Sequence, residues 1–194
     1  MVDKNEDIYF ITGNHNKFSE IHKLFQEEKL NYCLEQINIP TVEIQSNKLE
    51  EVAKFKLTSV KEKLDKSYFI EDAGFFVDIP LNGFPGVWSK YVFNTIGNEG
   101  ILKLIDDFTL TQAHFESVIA LYYKPLDEIY LFKGMVKGQI SQIIKGDKGF
   151  GFDPIFIPDE KPTKTFAEIS TIEKNKISHR GKAWRKLVNF LKEI

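Results

Sequence analysis

In the first third of the chain, apolar positions switch between strand-like and helix-like spacing. Ile8-Tyr9-Phe10-Ile11 is a short unbroken apolar run that stops at Thr12-Gly13-Asn14, the pattern of a buried strand entering a turn. Phe18, Ile21, Leu24 and Phe25 then recur at helical spacing to about Lys29, with Thr12 or Asn14 placed to cap the start. Tyr32 to Ile37 predicts a second strand. Leu49 to Leu64 predicts a long amphipathic helix marked by Leu49, Val52, Ala53, Leu57, Val60 and Leu64, and Tyr68-Phe69-Ile70 a third strand. Strand and helix alternating in this way is how parallel α/β units read.

Beyond Gly83-Phe84-Pro85-Gly86 one more helix is marked by Ile101, Leu102, Leu104, Ile105 and Phe108, and then the pattern changes. Ala113 to Tyr123, Ile129 to Val136 and Gln139 to Ile144 predict three successive strands. Polar breaks at Lys124-Pro125-Leu126-Asp127 and Lys137-Gly138 separate them, which suggests an antiparallel meander. Ile155-Phe156-Ile157 is a further strand. The chain closes with a helix from about Ser178 to Lys192, striped by Ala183, Leu187, Val188 and Leu191. Parallel units followed by a meander predict a mixed sheet. No repeat, low-complexity tract or linker interrupts the chain, so one α/β domain over residues 1–194 is expected.

The bulk numbers narrow the function classes. With 194 residues, 42% hydrophobic and 28% charged, the chain supports one good core, with room for two lobes. Lys+Arg 26 against Asp+Glu 28 leaves a formal charge of −2, without the global basic field that drives binding to nucleic acid, so any phosphate recognition is local. Cys33, the single cysteine, forms no internal disulfide, and its neighbours Tyr32 and Leu34 predict a buried small hydrophobe rather than a nucleophile. The charged opening Met1 to Asp7 is followed by only four apolar residues, too few for a signal peptide or a membrane span. A cytoplasmic protein with neither membrane nor nucleic-acid partner is expected.

Four segments carry candidate chemistry, each with a plain structural alternative. Thr12-Gly13-Asn14-His15-Asn16-Lys17 lies where a strand meets a helix. Helix amides and dipole there favour an anion, a glycine lets the backbone approach it, and Lys17 adds charge; the alternative is a capped turn with a solvated lysine. Glu71-Asp72-Ala73-Gly74 puts two carboxylates directly after a predicted strand. With Glu43 as a third acid they suit a hard cation such as magnesium, or else form a solvated acidic turn. Gly146-Asp147-Lys148-Gly149-Phe150-Gly151-Phe152-Asp153-Pro154 reads as an ordered loop presenting two rings, fit to stack on a base or to bury as core on either side of a turn. In Glu173-Lys174-Asn175-Lys176-Ile177-Ser178-His179-Arg180-Gly181, Ser178 is placed to cap the last helix. His179 and Arg180 then oppose the helix dipole in its first turn, a placement that serves a ligand or is ordinary surface charge.

Taken in this order, these segments resemble the inosine triphosphate pyrophosphatase family, which clears inosine, deoxyinosine and xanthosine triphosphates. Phe10-Ile11-Thr12-Gly13-Asn14-His15-Asn16-Lys17 is similar to the family's opening T-G-N-x-x-K, and Glu71-Asp72-Ala73-Gly74 with Gly83-Phe84-Pro85-Gly86-Val87-Trp88-Ser89 to its acidic centre and G-x-P-G loop. Gly149-Phe150-Gly151-Phe152-Asp153-Pro154 and Ser178-His179-Arg180-Gly181 are similar to its base-recognition segments. The stretch Val92 to Lys103 resembles archaeal members.

The resemblance implies hydrolysis to monophosphate and pyrophosphate, with magnesium held by Glu43 and Asp72 and with Asp72 as the proton acceptor for the attacking water. It implies that Thr12, Gly13, Asn14, Lys17 and Lys56 take the phosphates. Phe152 would stack on the base, and Phe150, Gly151, Asp153, Lys174, His179 and Arg180 complete the pocket. It also implies a homodimer and an elongated mixed sheet with two helical lobes and an active-site cleft between them. Ala73 departs from the Ser or Thr of other members, and Glu71 replaces an Asp of some. The rival readings are a pyrimidine or canonical-nucleotide pyrophosphatase, a nucleotide sensor without turnover, and a nucleic-acid binder using Phe150 and Phe152.

Overall fold

The computed structural model describes residues 6–194; the charged opening at Met1 to Asn5 lies outside the described residues. In chain order the elements are β1 (Glu6–Ile11), α1 (His15–Glu27), β2 (Tyr32–Ile37), α2 (Leu49–Thr58), β3 (Ser67–Ile79), β4 (Phe84–Gly86), α3 (Ser89–Thr95) and α4 (Gly97–Leu104). They continue with β5 (Gln112–Tyr123), β6 (Glu128–Ile140), β7 (Phe156–Pro158), α5 (Thr171–Ile177) and α6 (His179–Glu193). The strands form a 7-stranded sheet of order β2-β1-β3-β5-β6-β7, with β4 paired to β3. β1 runs parallel to β2 and β3, whereas β4 is antiparallel to β3 and β7 to β6, so the sheet is mixed as expected. Among the described residues no helix is long and apolar enough to cross a membrane.

The described residues form two compact units, residues 6–72, 118–133 and 183–194, and residues 73–117 and 134–182. Each has its own core. In the first, Phe10 and Phe69 stack with centroids 4.8 Å apart and Trp184 stands edge-on to both. The α6 stripe Ala183, Leu187, Val188 and Leu191 closes over this centre, as its spacing predicts, and each buried leucine contributes about 1.5–3 kcal/mol of hydrophobic stabilisation. In the second unit Phe75, Phe115, Phe152, Phe156 and Phe166 form an aromatic core.

Several elements differ from the sequence expectation for local physical reasons. The helix expected to reach Leu64 stops at Thr58, where the Ser59 hydroxyl donates to the Lys56 carbonyl and also accepts the Val42 amide, competing with helix continuation. The single helix after the G-x-P-G loop is two short ones, because Gly97 turns the chain at φ +62 and restarts the ladder; Leu104 and Phe108 are left exposed. The break expected at Lys137-Gly138 is absent, and β6 runs unbroken from Glu128 to Ile140. Gly138 instead permits close approach of β7, since a Cβ there would lie 2.1 Å from the Ile157 carbonyl oxygen. Residues 141–144, expected as strand, are irregular, and the antiparallel partner of β6 at this end is β7.

The acidic pair expected at a strand end lies within β3, whose pairing partner changes around it. Parallel pairing to β1 ends at Phe69 and antiparallel pairing to β4 begins at Phe75. Cys33 is exposed rather than buried. It lies on β2, the edge strand, where Leu34 points into the core and its neighbours Cys33 and Glu35 face solvent. α5 was not anticipated, although Ser170 and Glu173 spell a capping box, with the Ser170 hydroxyl accepting the Glu173 amide at 3.2 Å.

Candidate active site

The first unit gathers lysines and carboxylates from four segments. Asn14 caps α1 by accepting the amides of Asn16 (3.0 Å) and Lys17 (3.2 Å), and its own amide donates to the Thr12 hydroxyl at 3.1 Å. Gln36 of β2 donates to the Thr12 carbonyl at 2.9 Å, which ties the Thr12-Gly13-Asn14 turn to the sheet. The cap directs Lys17 inward: its ammonium pairs with the Glu71 carboxylate at 2.6 Å and donates to the Glu71 carbonyl at 3.1 Å. Glu71, which the sequence suggested only for metal reach, is thus the anchor of Lys17, and its side chain is fully buried.

Lys56, in the last turn of α2, donates to both Glu43 and Asp72, the latter at 3.0 Å. Burial by itself lowers the Lys56 pKa. The negative charge of Asp72 and hydrogen bonds to Glu43 and Asp72 outweigh burial and hold it above the ordinary 10.5, so this group is cationic at neutral pH. Asp72 uses Oδ1 for Lys56, while Oδ2 is buried with no hydrogen-bond partner among the described residues. Glu43, Asp72 and Lys56, expected together from the resemblance, are therefore in contact. Lys17 joins them through Glu71, the sequence neighbour of Asp72. Gly13, in the middle of the Thr12-Gly13-Asn14 turn, is exposed.

The second unit holds the other expected residues. The Lys174 ammonium meets the Asp153 carboxylate at 2.6 Å, with side-chain exposures of 6% and 3%. The same carboxylate oxygen accepts the Phe150 amide at 2.8 Å, so one acid orders both the lysine and the aromatic loop. The Phe150 ring has Lys174 Nζ 5.0 Å and the Arg180 guanidinium 5.1 Å from its centroid, both within cation–π range. Ser178 caps α6 by accepting the Gly181 amide at 3.1 Å, which sets His179 and Arg180 in the first turn as expected. His179 stacks on Phe115, centroids 4.8 Å apart and rings 11° from parallel. Lys174, His179 and Arg180 are all buried, unlike ordinary surface charge. Phe152, implied as the stacking ring, is a core residue here, 3% exposed, with Phe75 stacked on it at 4.8 Å and Phe93 edge-on at 5.3 Å. Phe150 is the half-buried ring of the loop.

With this geometry in place, comparison with known proteins is decisive: the family model described as the Ham1 family matches residues 8–190. The chain belongs to the Ham1 family. It is 46% identical to a dITP/XTP pyrophosphatase of Thermococcus kodakarensis, over 95% of this chain and 96% of that protein. It is 45% identical to one of Hyperthermus butylicus, over 96% of this chain and 95% of that protein. Among solved structures, the Ham1 protein of Staphylococcus aureus superposes with a TM-score of 0.83 at 30% identity, covering 97% of this chain and 99% of that one.

Two contacts of this Ham1 chain escaped sequence reasoning. The Lys17–Glu71 pair joins residues far apart in sequence, and nothing at either position announces it. Asn98 of α4 donates its side-chain amide to the Gly151 carbonyl at 3.2 Å. The Thr95-Ile96-Gly97-Asn98-Glu99-Gly100 stretch stood out in the sequence only as a point of resemblance.

Proposed function

We propose that this protein hydrolyses inosine, deoxyinosine and xanthosine triphosphates to the monophosphate and pyrophosphate, keeping them out of the nucleic-acid precursor pool. The observation that carries the reading is Asp72, with one oxygen held by Lys56 and the other buried and partnerless. A buried acceptor without a partner costs about 1–3 kcal/mol, a cost repaid when a ligand or an activated water meets it. The names of the curated relatives support the same activity.

The donor set fits a hard cation, since Glu43 and Asp72 offer carboxylate oxygens and Asp72 Oδ2 lacks a protein partner. Magnesium held there would supply charge neutralisation of the phosphates. Lys17 and Lys56 do the same from the protein side, and the Thr12-Gly13-Asn14 turn seats the phosphate chain. Asp72 takes the proton of a water that attacks the α-phosphorus; the bond to the bridging oxygen breaks and pyrophosphate leaves with the electron pair. Asp153 orders Lys174 and Phe150, and Lys174, His179 and Arg180 donate to the base. Stacking of the base on Phe152 requires Phe93, carried on short α3 and 36% exposed, to yield its place. Inosine and xanthosine offer an oxygen at position 6, whereas adenine offers an amino group that fixed donors leave unpaired, a mismatch that supports roughly 10⁴-fold discrimination. Guanine shares the 6-oxygen, so its rejection rests on the 2-position. In this reading the chain works as one functional domain in a cytoplasmic homodimer.

Pyrophosphate release from inosine, xanthosine, guanosine, adenosine and cytidine triphosphates, with magnesium and with chelator, tests the proposal. Release confined to the first two and abolished by chelator is expected. Hydrolysis of all five, or orthophosphate as product, overturns it.

A further inference from the structure

No residue of α4 has a part in the roles above, yet the α3–α4 segment holds the aromatic loop at two successive residues. Asn98, in the first turn of α4, donates to the Gly151 carbonyl at 3.2 Å, and the Phe93 ring of α3 stands edge-on to Phe152 at 5.3 Å. Phe150 is held separately, through the Asp153 carboxylate on its amide and the cations over its ring. The loop is therefore clasped from two directions, and the bond from Asn98 fixes the peptide that joins its two rings.

The orientation of the Asn98 amide follows from its partner. A backbone carbonyl accepts only, so Nδ2 faces Gly151. That leaves Oδ1 buried with no hydrogen-bond partner among the described residues. A residue present only to glue α4 in place gains nothing from that orphaned acceptor; leucine has nearly the same shape, removes the buried orphan and leaves only the carbonyl of half-buried Gly151 to find water. The donor is what distinguishes asparagine at this position.

We infer that Asn98 is a positioning residue for base selection: by fixing the Gly151 peptide it sets the orientation in which Phe150 and Phe152 meet the purine. The inference rests on the reading of this loop as the base site. A peptide released from Asn98 rotates between its two aromatic neighbours, so the loop samples several ring arrangements and the base must order it on binding. Affinity falls, while the chemistry at Asp72 is untouched. Discrimination also narrows, because donors reject a 6-amino group only when base and donors are held in one register.

The test is Asn98→Leu, with Asn98→Gln as the variant that keeps an amide donor on a longer arm. For Asn98→Leu, the KM for inosine triphosphate is expected to rise about tenfold, the loss of roughly one good hydrogen bond's worth of binding. kcat stays within about twofold, and the preference for inosine over adenosine triphosphate narrows. The melting temperature stays within a few degrees of that of the wild type, because loss of the buried orphaned acceptor offsets loss of the bond to Gly151. Asn98→Gln recovers part of the KM and of the preference. Unchanged KM and preference in Asn98→Leu, or a fall in stability with kcat and KM changed together and no recovery in Asn98→Gln, overturns the inference. Titration with inosine monophosphate separates the two proposals. A wild type that binds it but cleaves no triphosphate overturns the hydrolase reading alone, and the affinity of Asn98→Leu then decides the inference. A wild type that neither binds nor cleaves overturns both.

Discussion

Asp72→Asn is expected to lower pyrophosphate release from inosine triphosphate by roughly 10³-fold or more, the combined loss of a proton acceptor and of a metal-binding oxygen. The fold should survive. Asparagine has the same shape, its carbonyl can still accept from Lys56, and Glu43 remains as the second partner of that lysine. The change removes a carboxylate whose Oδ2 finds no protein partner, so the melting temperature should stay within a few degrees of the wild type. Turnover within tenfold of the wild type would remove Asp72 from the chemistry. Loss of turnover matched by loss of cooperative unfolding would make the residue structural.

The second large effect is on stability. Lys174→Met leaves the Asp153 carboxylate, 3% exposed at its side chain, with the Phe150 amide still donating to it but without the ammonium at 2.6 Å. Breaking a buried ion pair from one side costs about 3–5 kcal/mol, which for a chain of this size lowers the melting temperature by about 6–20 °C. Adding Asp153→Asn to Lys174→Met removes the stranded charge and should recover part of the loss, because the penalty lies in the unpaired charge more than in the missing attraction. Thermal unfolding of the wild type, both single variants and the double variant closes the cycle. A cost below about 1 kcal/mol for Lys174→Met would show that water reaches the pair.

The local signals that proved legible are those in which neighbours in sequence satisfy one another. Asn14 caps α1 and Ser178 caps α6 because a short polar side chain reaches the amides two or three residues on, a relation visible in the sequence itself. The α6 stripe faces a core for the same reason of spacing. Where a distant segment intervened, the local signal misled. Gly138 looks like a strand break until β7 lies against it, and Tyr68-Phe69-Ile70 looks like a complete strand until β4 supplies a partner for its continuation. Cys33 between two apolar residues reads as core, but an edge strand buries one face only.

For the candidate site, the residue types and their order along the chain were determined by sequence: a glycine turn before a lysine, paired acids, an aromatic glycine loop, and a serine-capped helix carrying His179 and Arg180. Only the tertiary structure decided who meets whom. It gave Lys17 to Glu71, set Lys56 between Glu43 and Asp72, packed Phe152 into a core while leaving Phe150 under two cations, and brought Asn98 to Gly151. The physical reason is range. Caps and periodic stripes are set by contacts within a turn or two of the chain, whereas ion pairs and loop tethers form wherever packing brings charges and carbonyls within about 3 Å, a distance on which sequence separation has no bearing.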